Sequence, residues 1–319
     1  MNDTKRPLLA YEDHTFINSP DGRMLRIMAE YMEPLAHFRR ERIQDTVVFF
    51  GSARFRALDA AAHDLELLDA PGSVRVAPTE EQPATAEELA DGNASHLQRL
   101  HAEAAVEMAR YYEDARKLAY MLTQWSMTIK SRRHRFVVTS GGGPGIMEAA
   151  NRGASEAGGK TIGLSIRLPF EQEHNPYITS SLDLEFHYFF MRKYWFAYLA
   201  KALVVFPGGF GTLDEMFELL TLTQTHKLAK ELIIVVYGPK YWNQVINFDA
   251  LVQQGAISPN DMKLFHFVDT PEDAFAILRE KLTSIYLEAA EIPAPPKPEE
   301  PVDVETEIVL RPEFRKTRR

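Results

Sequence analysis

Residues 204–218 read VVFPGGFGTLDEMFE. An apolar, β-branched run stops at Pro207-Gly208-Gly209, and a helical pattern of acidic and apolar residues follows from Asp214. A short strand that turns on glycine and passes directly into a helix is the repeating unit of a parallel sheet. Residues 136–158, FVVTSGGGPGIMEAANRGASEAG, show the same order of strand, glycine turn and helix. Glycine turns with free N–H groups suit anions, yet Asp214 and Glu215 follow this one directly, and that conflict needs an explanation.

Outward from these two units the alternation continues. TVVFF (46–50), TIGLSI (161–166), LDLEF (182–186), LIIVVY (232–237) and HFVD (266–269) read as further strands. HYFFMRKYWFAYLA (187–200), DEMFELLTLTQTHK (214–227) and PEDAFAILREKLTSIYLEAAE (271–291) read as helices, and Met108, Tyr111, Tyr112, Ala115, Leu118, Ala119 and Leu122 have helical spacing over 101–128. The expected fold is α/β, a Rossmann-like doubly wound, mainly parallel sheet flanked by helices. Right-handed crossovers then bring every post-strand turn to the carboxyl edge of the sheet.

Around that core, residues 1–44 read as an N-terminal helical extension. Ser19 is the expected N-cap, Pro20 the first helical residue, and Pro34 the point where the helix kinks or ends before a second short helix to about Arg42. The main domain covers 45–290, with an Ala-, Glu- and Asp-rich insertion at about 57–100 expected to be partly helical and partly mobile. Residues 291–319 are rich in Pro and charge and read as an extended or disordered tail, or as a segment packing along a neighbouring subunit.

The 319 residues include 45 acidic and 36 basic ones, a formal charge of −9. That balance argues against a general nucleic-acid or anionic-membrane binder. Cysteine is absent, which excludes disulfides, thiolate nucleophiles and Cys-ligated metals. The first residues lack the apolar core of a signal peptide, no stretch approaches 18 uninterrupted apolar residues, and a cytoplasmic location is expected.

Three turns should meet at the carboxyl edge: Gly51-Ser52-Ala53-Arg54, Ser140 to Gly145, and Pro207 to Thr212. Unpaired N–H groups and a helix dipole suit phosphate there, so Gly51, Ser52, Gly142, Gly143, Gly145, Gly208, Gly209, Gly211 and Thr212 are candidates for binding it. The plainer reading is that glycine merely makes a tight strand-to-helix turn. Neither Walker A nor GxGxxG is present, so ordinary ATP or NAD binding is not indicated. Glu148 and Asn151 stand where they reach a ribose or base, or simply pack between helices. Arg192 and Lys193 read as substrate-facing cations or as solvated neighbours of an aromatic stripe. Asp214 and Glu215 read as functional carboxylates or as first-turn acids favoured by the helix dipole, and Glu218 shares either reading. His174 and Asn175 read as loop-tip residues. No His or carboxylate pattern suggests a metal.

GGGPGIMEAANRGA (141–154) together with PGGFGTLDE (207–215) resembles the LOG ("lonely guy") family, long labelled "lysine decarboxylase-like"; GLSIRLPFEQEHNPYI, FFMRK and TLTQTHK resemble its longer bacterial members. The resemblance covers about residues 45–240. It implies a homodimer or larger homo-oligomer without a cofactor. The implied activity is hydrolysis of the N-glycosidic bond of an adenine-type nucleoside 5′-monophosphate, AMP or a cytokinin riboside monophosphate, to free base and ribose 5-phosphate. It also implies Arg192 and Glu215 as catalytic residues, with Gly208, Gly209, Gly211 and Thr212 in the phosphate cradle.

Chemistry agrees with that implication, because ribosyl C–N cleavage builds positive charge on the sugar that a carboxylate stabilises. A nucleotide carrier without catalysis is the alternative. A pyridoxal-phosphate decarboxylase needs a Schiff-base lysine, and Lys160, Lys193, Lys201 and Lys227 stand in no pattern that marks one.

Overall fold

The computed structural model describes residues 8–69, 93–169 and 173–288. Seven strands form one sheet: β1 (Thr46–Phe50), β2 (Val137–Ser140), β3 (Thr161–Ile166), β4 (Asp183–Phe186), β5 (Ala200–Val205), β6 (Ile233–Tyr237) and β7 (Phe265–Val268). Their order is β4-β3-β2-β1-β5-β6-β7, and every pairing is parallel. The fold is therefore the doubly wound α/β sheet expected from the sequence. Strand order reverses between β1 and β5, and such a reversal opens a crevice at the carboxyl ends of the two strands.

Helices cover both faces, which is why the central strands are apolar at every position rather than at alternate ones. Val48 and Phe50 point to one core, with α2 (Arg23–Arg40), α6 (Phe189–Leu199), α7 (Phe210–Gln224), α8 (Pro239–Val245) and α9 (Phe248–Gln253) on that side. Val47 and Phe49 point to the other, beneath α4 (Asn93–Met127), α5 (Ile146–Glu156) and α10 (Pro271–Thr283). With α1 (His14–Asn18) and α3 (Leu58–Asp69) these are the α-helices among the described residues.

The N-terminal extension departs from expectation. Ser19 closes α1 instead of opening α2, whose N-cap is Gly22. The chain turns back there, and the guanidinium of Arg26 donates to the carbonyls of Ser19, at 2.8 Å, and Ile17. Pro34 neither ends nor splits α2, which is one helix to Arg40. Proline removes the hydrogen bond to the carbonyl four residues back and costs a helix interior about 3 kcal/mol. Here that carbonyl, of Glu30, accepts the indole N–H of Trp195 at 2.9 Å, so the orphaned acceptor is satisfied from α6.

Smaller shifts have local causes. β2 begins at Val137 because Phe136 adopts φ 53°, outside extended space. α7 begins at Phe210, four residues before the expected start, so Gly211 and Thr212 are helical. α3 and the start of α4 lie within 57–100; the remainder of that segment, and the tail from 291, fall outside the described residues.

Candidate active site

The three glycine turns meet at the crevice, and the backbone of Ser52 joins them. Its N–H donates to Pro207 O at 3.0 Å, and its carbonyl accepts from Ile146 N at 3.0 Å. The first N–H of α5 is therefore already bonded within the protein. Gly142 N–H is also taken, by Ser140 Oγ at 3.0 Å. Asn175 holds the rest of this turn: its side-chain amide donates to Gly142 O (3.0 Å) and Gly143 O (3.1 Å), and it is itself buried. Asn151, also buried, accepts from Ser140 Oγ at 2.6 Å and donates to Ile162 O. Both asparagines thus fix the turn from behind.

Glycine is required by the protein itself at several of these positions. Gly142 and Gly145 have φ of 78° and 70°, and a Cβ on Gly145 would strike the backbone of Ser52 and Ala53. A Cβ on Gly51 would enter the side chain of Ile146, and one on Gly208 that of Thr212. Gly209 and Gly211 differ, because a Cβ on either would meet nothing within 4 Å and neither needs positive φ. Both are exposed at the N-terminus of α7, where the first N–H groups have no partner inside the helix. Tyr241 OH donates to Gly208 O at 2.9 Å and steadies the turn, a contact from α8 that no sequence signal announces.

Beneath this open turn lie Arg192 and Glu215. Thr212 and Glu215 are three residues apart on α7 and both are buried, so they share its inner face. Arg192 Nη2 stands 3.5 Å from Glu215 Oε1, with the two side chains 15% and 6% exposed. That distance is an ion pair without a good hydrogen bond. Arg192 Nε and Glu215 Oε1 are buried with no hydrogen-bond partner in the protein. Phe189 and Phe196 flank the guanidinium at 5.3 and 5.6 Å from their ring centres. Burial pushes Glu215 up to about 7, against the pull of Arg192 and Lys193. Burial likewise lowers Arg192 from its usual value, although Glu215 and Asp214 oppose it. Desolvation outweighs mutual attraction for both groups, which fits a pair held apart.

Lys193, Glu148 and His174 are already occupied. Lys193 Nζ bridges Asp214 Oδ2 (2.8 Å) and Glu218 Oε2 (2.7 Å). Glu148 accepts from Tyr112 OH at 2.8 Å, against the α4 layer. His174 Nδ1 donates to Asp183 at 2.8 Å, and Arg54 is exposed. Because α7 starts at Phe210, Asp214 and Glu215 lie in its second turn, and the reading of them as first-turn acids fails. A cleft of about 470 Å³ opens beside the Gly141–Gly143 turn, lined by Ser165, Arg167, His174 and Glu185 among others, without Arg192 or Glu215. The unpartnered buried pair, rather than cavity size, marks the candidate centre. Among the described residues no cluster of three metal-ligating side chains occurs, and no helix is long and apolar enough to cross a membrane.

A family model described as "Possible lysine decarboxylase" matches residues 147–278, a span that holds both Arg192 and Glu215. A cytokinin riboside 5′-monophosphate phosphoribohydrolase of Arabidopsis thaliana is 29% identical over 133 residues, 40% of this chain and 56% of that protein. A second one from the same plant is 26% identical over 148 residues, 45% of this chain and 66% of that protein. The chain resembles the LOG family. It spans 56% and 66% of the length of these two LOG enzymes. Among solved structures, the molybdenum cofactor carrier protein of Chlamydomonas reinhardtii is 22% identical, with a TM-score of 0.35 over 55% of this chain and 89% of that one. A structural-genomics target is 18% identical, with a TM-score of 0.39 over 74% of this chain and 99% of that one.

Proposed function

We propose that this protein hydrolyses the N-glycosidic bond of a purine nucleoside 5′-monophosphate, giving free base and ribose 5-phosphate. One observation carries the reading: an unpartnered buried Arg192–Glu215 pair lies beneath a helix N-terminus whose two open glycines leave room for an anion. The phosphate sits on the N–H groups of Gly209 to Thr212, held by backbone donors and the dipole of α7. Its 5′-ester then directs the ribose inward, towards the carboxylate.

In the reaction the C1′–N bond breaks with its electron pair leaving on the base, and a water oxygen bonds to C1′. Glu215 as a carboxylate faces the positive charge that grows on the ribose and takes the proton of the attacking water. The departing base nitrogen gains a proton, so the sum is nucleotide plus water to base plus ribose 5-phosphate. Arg192 faces Glu215 across 3.5 Å without a hydrogen bond to it and offers its free Nε–H to the substrate. The likeness to phosphoribohydrolases supports this reaction class, and the negative charge of the chain fits a small-molecule substrate. A homo-oligomer in the cytoplasm is part of the same proposal.

The test is to incubate pure protein with AMP and with isopentenyladenosine monophosphate and to measure free base and ribose 5-phosphate. Release from either supports the reading and tells which base is preferred. A folded protein that releases neither base sinks it.

A further inference from the structure

Helix α6 carries Arg192, yet its own sequence does little to hold its ends. Tyr188 is the N-cap and gives no side-chain cap; the first turn, Phe189 to Met191, contains no acid. An N-terminus of this kind leaves N–H groups and positive dipole charge uncompensated.

Glu30, on α2 more than 150 residues earlier in the chain, supplies what α6 lacks. Its Oε1 accepts from His187 N at 2.8 Å and its Oε2 from Tyr188 N at 3.2 Å. Its main-chain carbonyl, freed by Pro34, accepts the Trp195 indole N–H at 2.9 Å. One residue therefore holds the chain on both sides of Arg192, at 187–188 where it enters α6 and at 195 within the helix. Tyr31 lies against Tyr194 and Trp195, with ring centres 5.7 and 5.8 Å apart, and Phe38 meets Trp195 edge-on at 5.3 Å. Two fixed points about two turns apart prevent a helix from sliding along its axis or rotating about it. On the opposite side Lys193 ties α6 to Asp214 and Glu218 of α7.

We propose that Glu30 is a positioning residue for the candidate site: by clamping α6 it sets the 3.5 Å separation of Arg192 from Glu215. The inference rests on the reading of that pair as the reacting centre. Because Arg192 Nε and Glu215 Oε1 are both unpartnered, nothing in the pair itself resists closure into a tight salt bridge. The constraint has to come from the helices that carry them. A displacement of about 1 Å at such a centre costs on the order of 10²-fold in rate.

The experiment compares wild type, Glu30→Ala and Glu30→Gln in full-length protein, well below the melting temperature of each. With AMP, Glu30→Ala should lose about 10- to 100-fold in kcat with KM within about 3-fold, and the acid limb of its pH profile should move. Glu30→Gln, which keeps an acceptor for one of the two N–H groups, should recover most of kcat. Hydrogen exchange should rise in Glu30→Ala at residues 188–193 and stay unchanged in the sheet. A variant with lower thermal stability but wild-type kcat and pH limb would show that Glu30 only stabilises the fold, and would overturn the proposal. If wild type releases no base, the assigned reaction fails by itself. The exchange data still decide the clamp, since unchanged exchange at 188–193 in Glu30→Ala refutes it.

Discussion

Arg192 Nη2 stops 3.5 Å short of Glu215 Oε1, inside a site that leaves the carboxylate oxygen without a donor. The pair is close enough to interact and too far apart to neutralise. Glu215 consequently titrates at about 7, driven up mainly by burial. If the carboxylate is the active form, kcat/KM for AMP should rise with pH along an acid limb centred near 7. A limb at the ordinary carboxylate value would contradict this.

Glu215→Gln should reduce turnover by about 10²-fold or more while AMP still binds, measured by calorimetry on the folded variant. Its stability should also diverge from wild type with pH. The folded value of about 7 lies above the 4.5 of a free glutamate side chain, so the folded state holds the proton more tightly. The stability this gives is full below 4.5 and is lost as pH climbs through 7. Unfolding in urea should therefore show wild type losing, relative to Glu215→Gln, up to about 3 kcal/mol across that window.

The glycines divide into two classes that substitution should separate. Gly145→Ala places a Cβ against the backbone of Ser52 and Ala53 at φ 70°, and should destabilise the protein severely. Gly211→Ala meets open space within a helix and should stabilise by up to about 1 kcal/mol. Yet it should weaken phosphate binding, because the added methyl stands where the anion approaches. Thermal melts alongside KM for AMP read both effects, and a neutral KM would remove Gly211 from the cradle.

Asn175→Ala should cost about 2–3 kcal/mol, because the carbonyls of Gly142 and Gly143 lose the amide that serves both. The urea midpoint measures it.

Lys230 carries a second pH signature. Its Nζ donates to Ala197 O and Tyr198 O, at 2.7 Å each, at the end of α6, and burial lowers it to about 7. A folded value below the 10.5 of a free lysine side chain means the unfolded chain holds more protons between the two, so stability rises with pH there. Lys230→Met should flatten that rise, measured as urea midpoints from pH 7 to 9.

The strands were legible because central strands of a doubly wound sheet are buried on both faces and read as unbroken apolar runs. The start of α7 was not, since Gly209 at the N-cap and Gly211 in the first turn lower the apparent helix propensity of a segment that the sheet edge holds helical. Nor was the continuity of α2, because Pro34 argues locally for a break. Its orphaned carbonyl is satisfied by Trp195, a partner no local pattern can announce. At the site, Arg192 and Glu215 were visible through the FFMRK and PGGFGTLDE stretches. Lys193 beside them could not be separated from Arg192 until its two carboxylate partners were known.

By itself the sequence determined the alternation of strands and helices, the glycine turns at their joints, and the residues whose arrangement resembles the LOG family. Local propensity and hydrophobic period suffice for these, since they act over a few residues. Tertiary structure alone decided which glycines the chain needs for itself, which N–H groups stay free, and which charges are already paired. It also decided between the two readings of Glu215, which is buried in the second turn of α7 and is no first-turn acid. Those outcomes depend on desolvation and on contacts between segments far apart in the chain, and no local pattern encodes either.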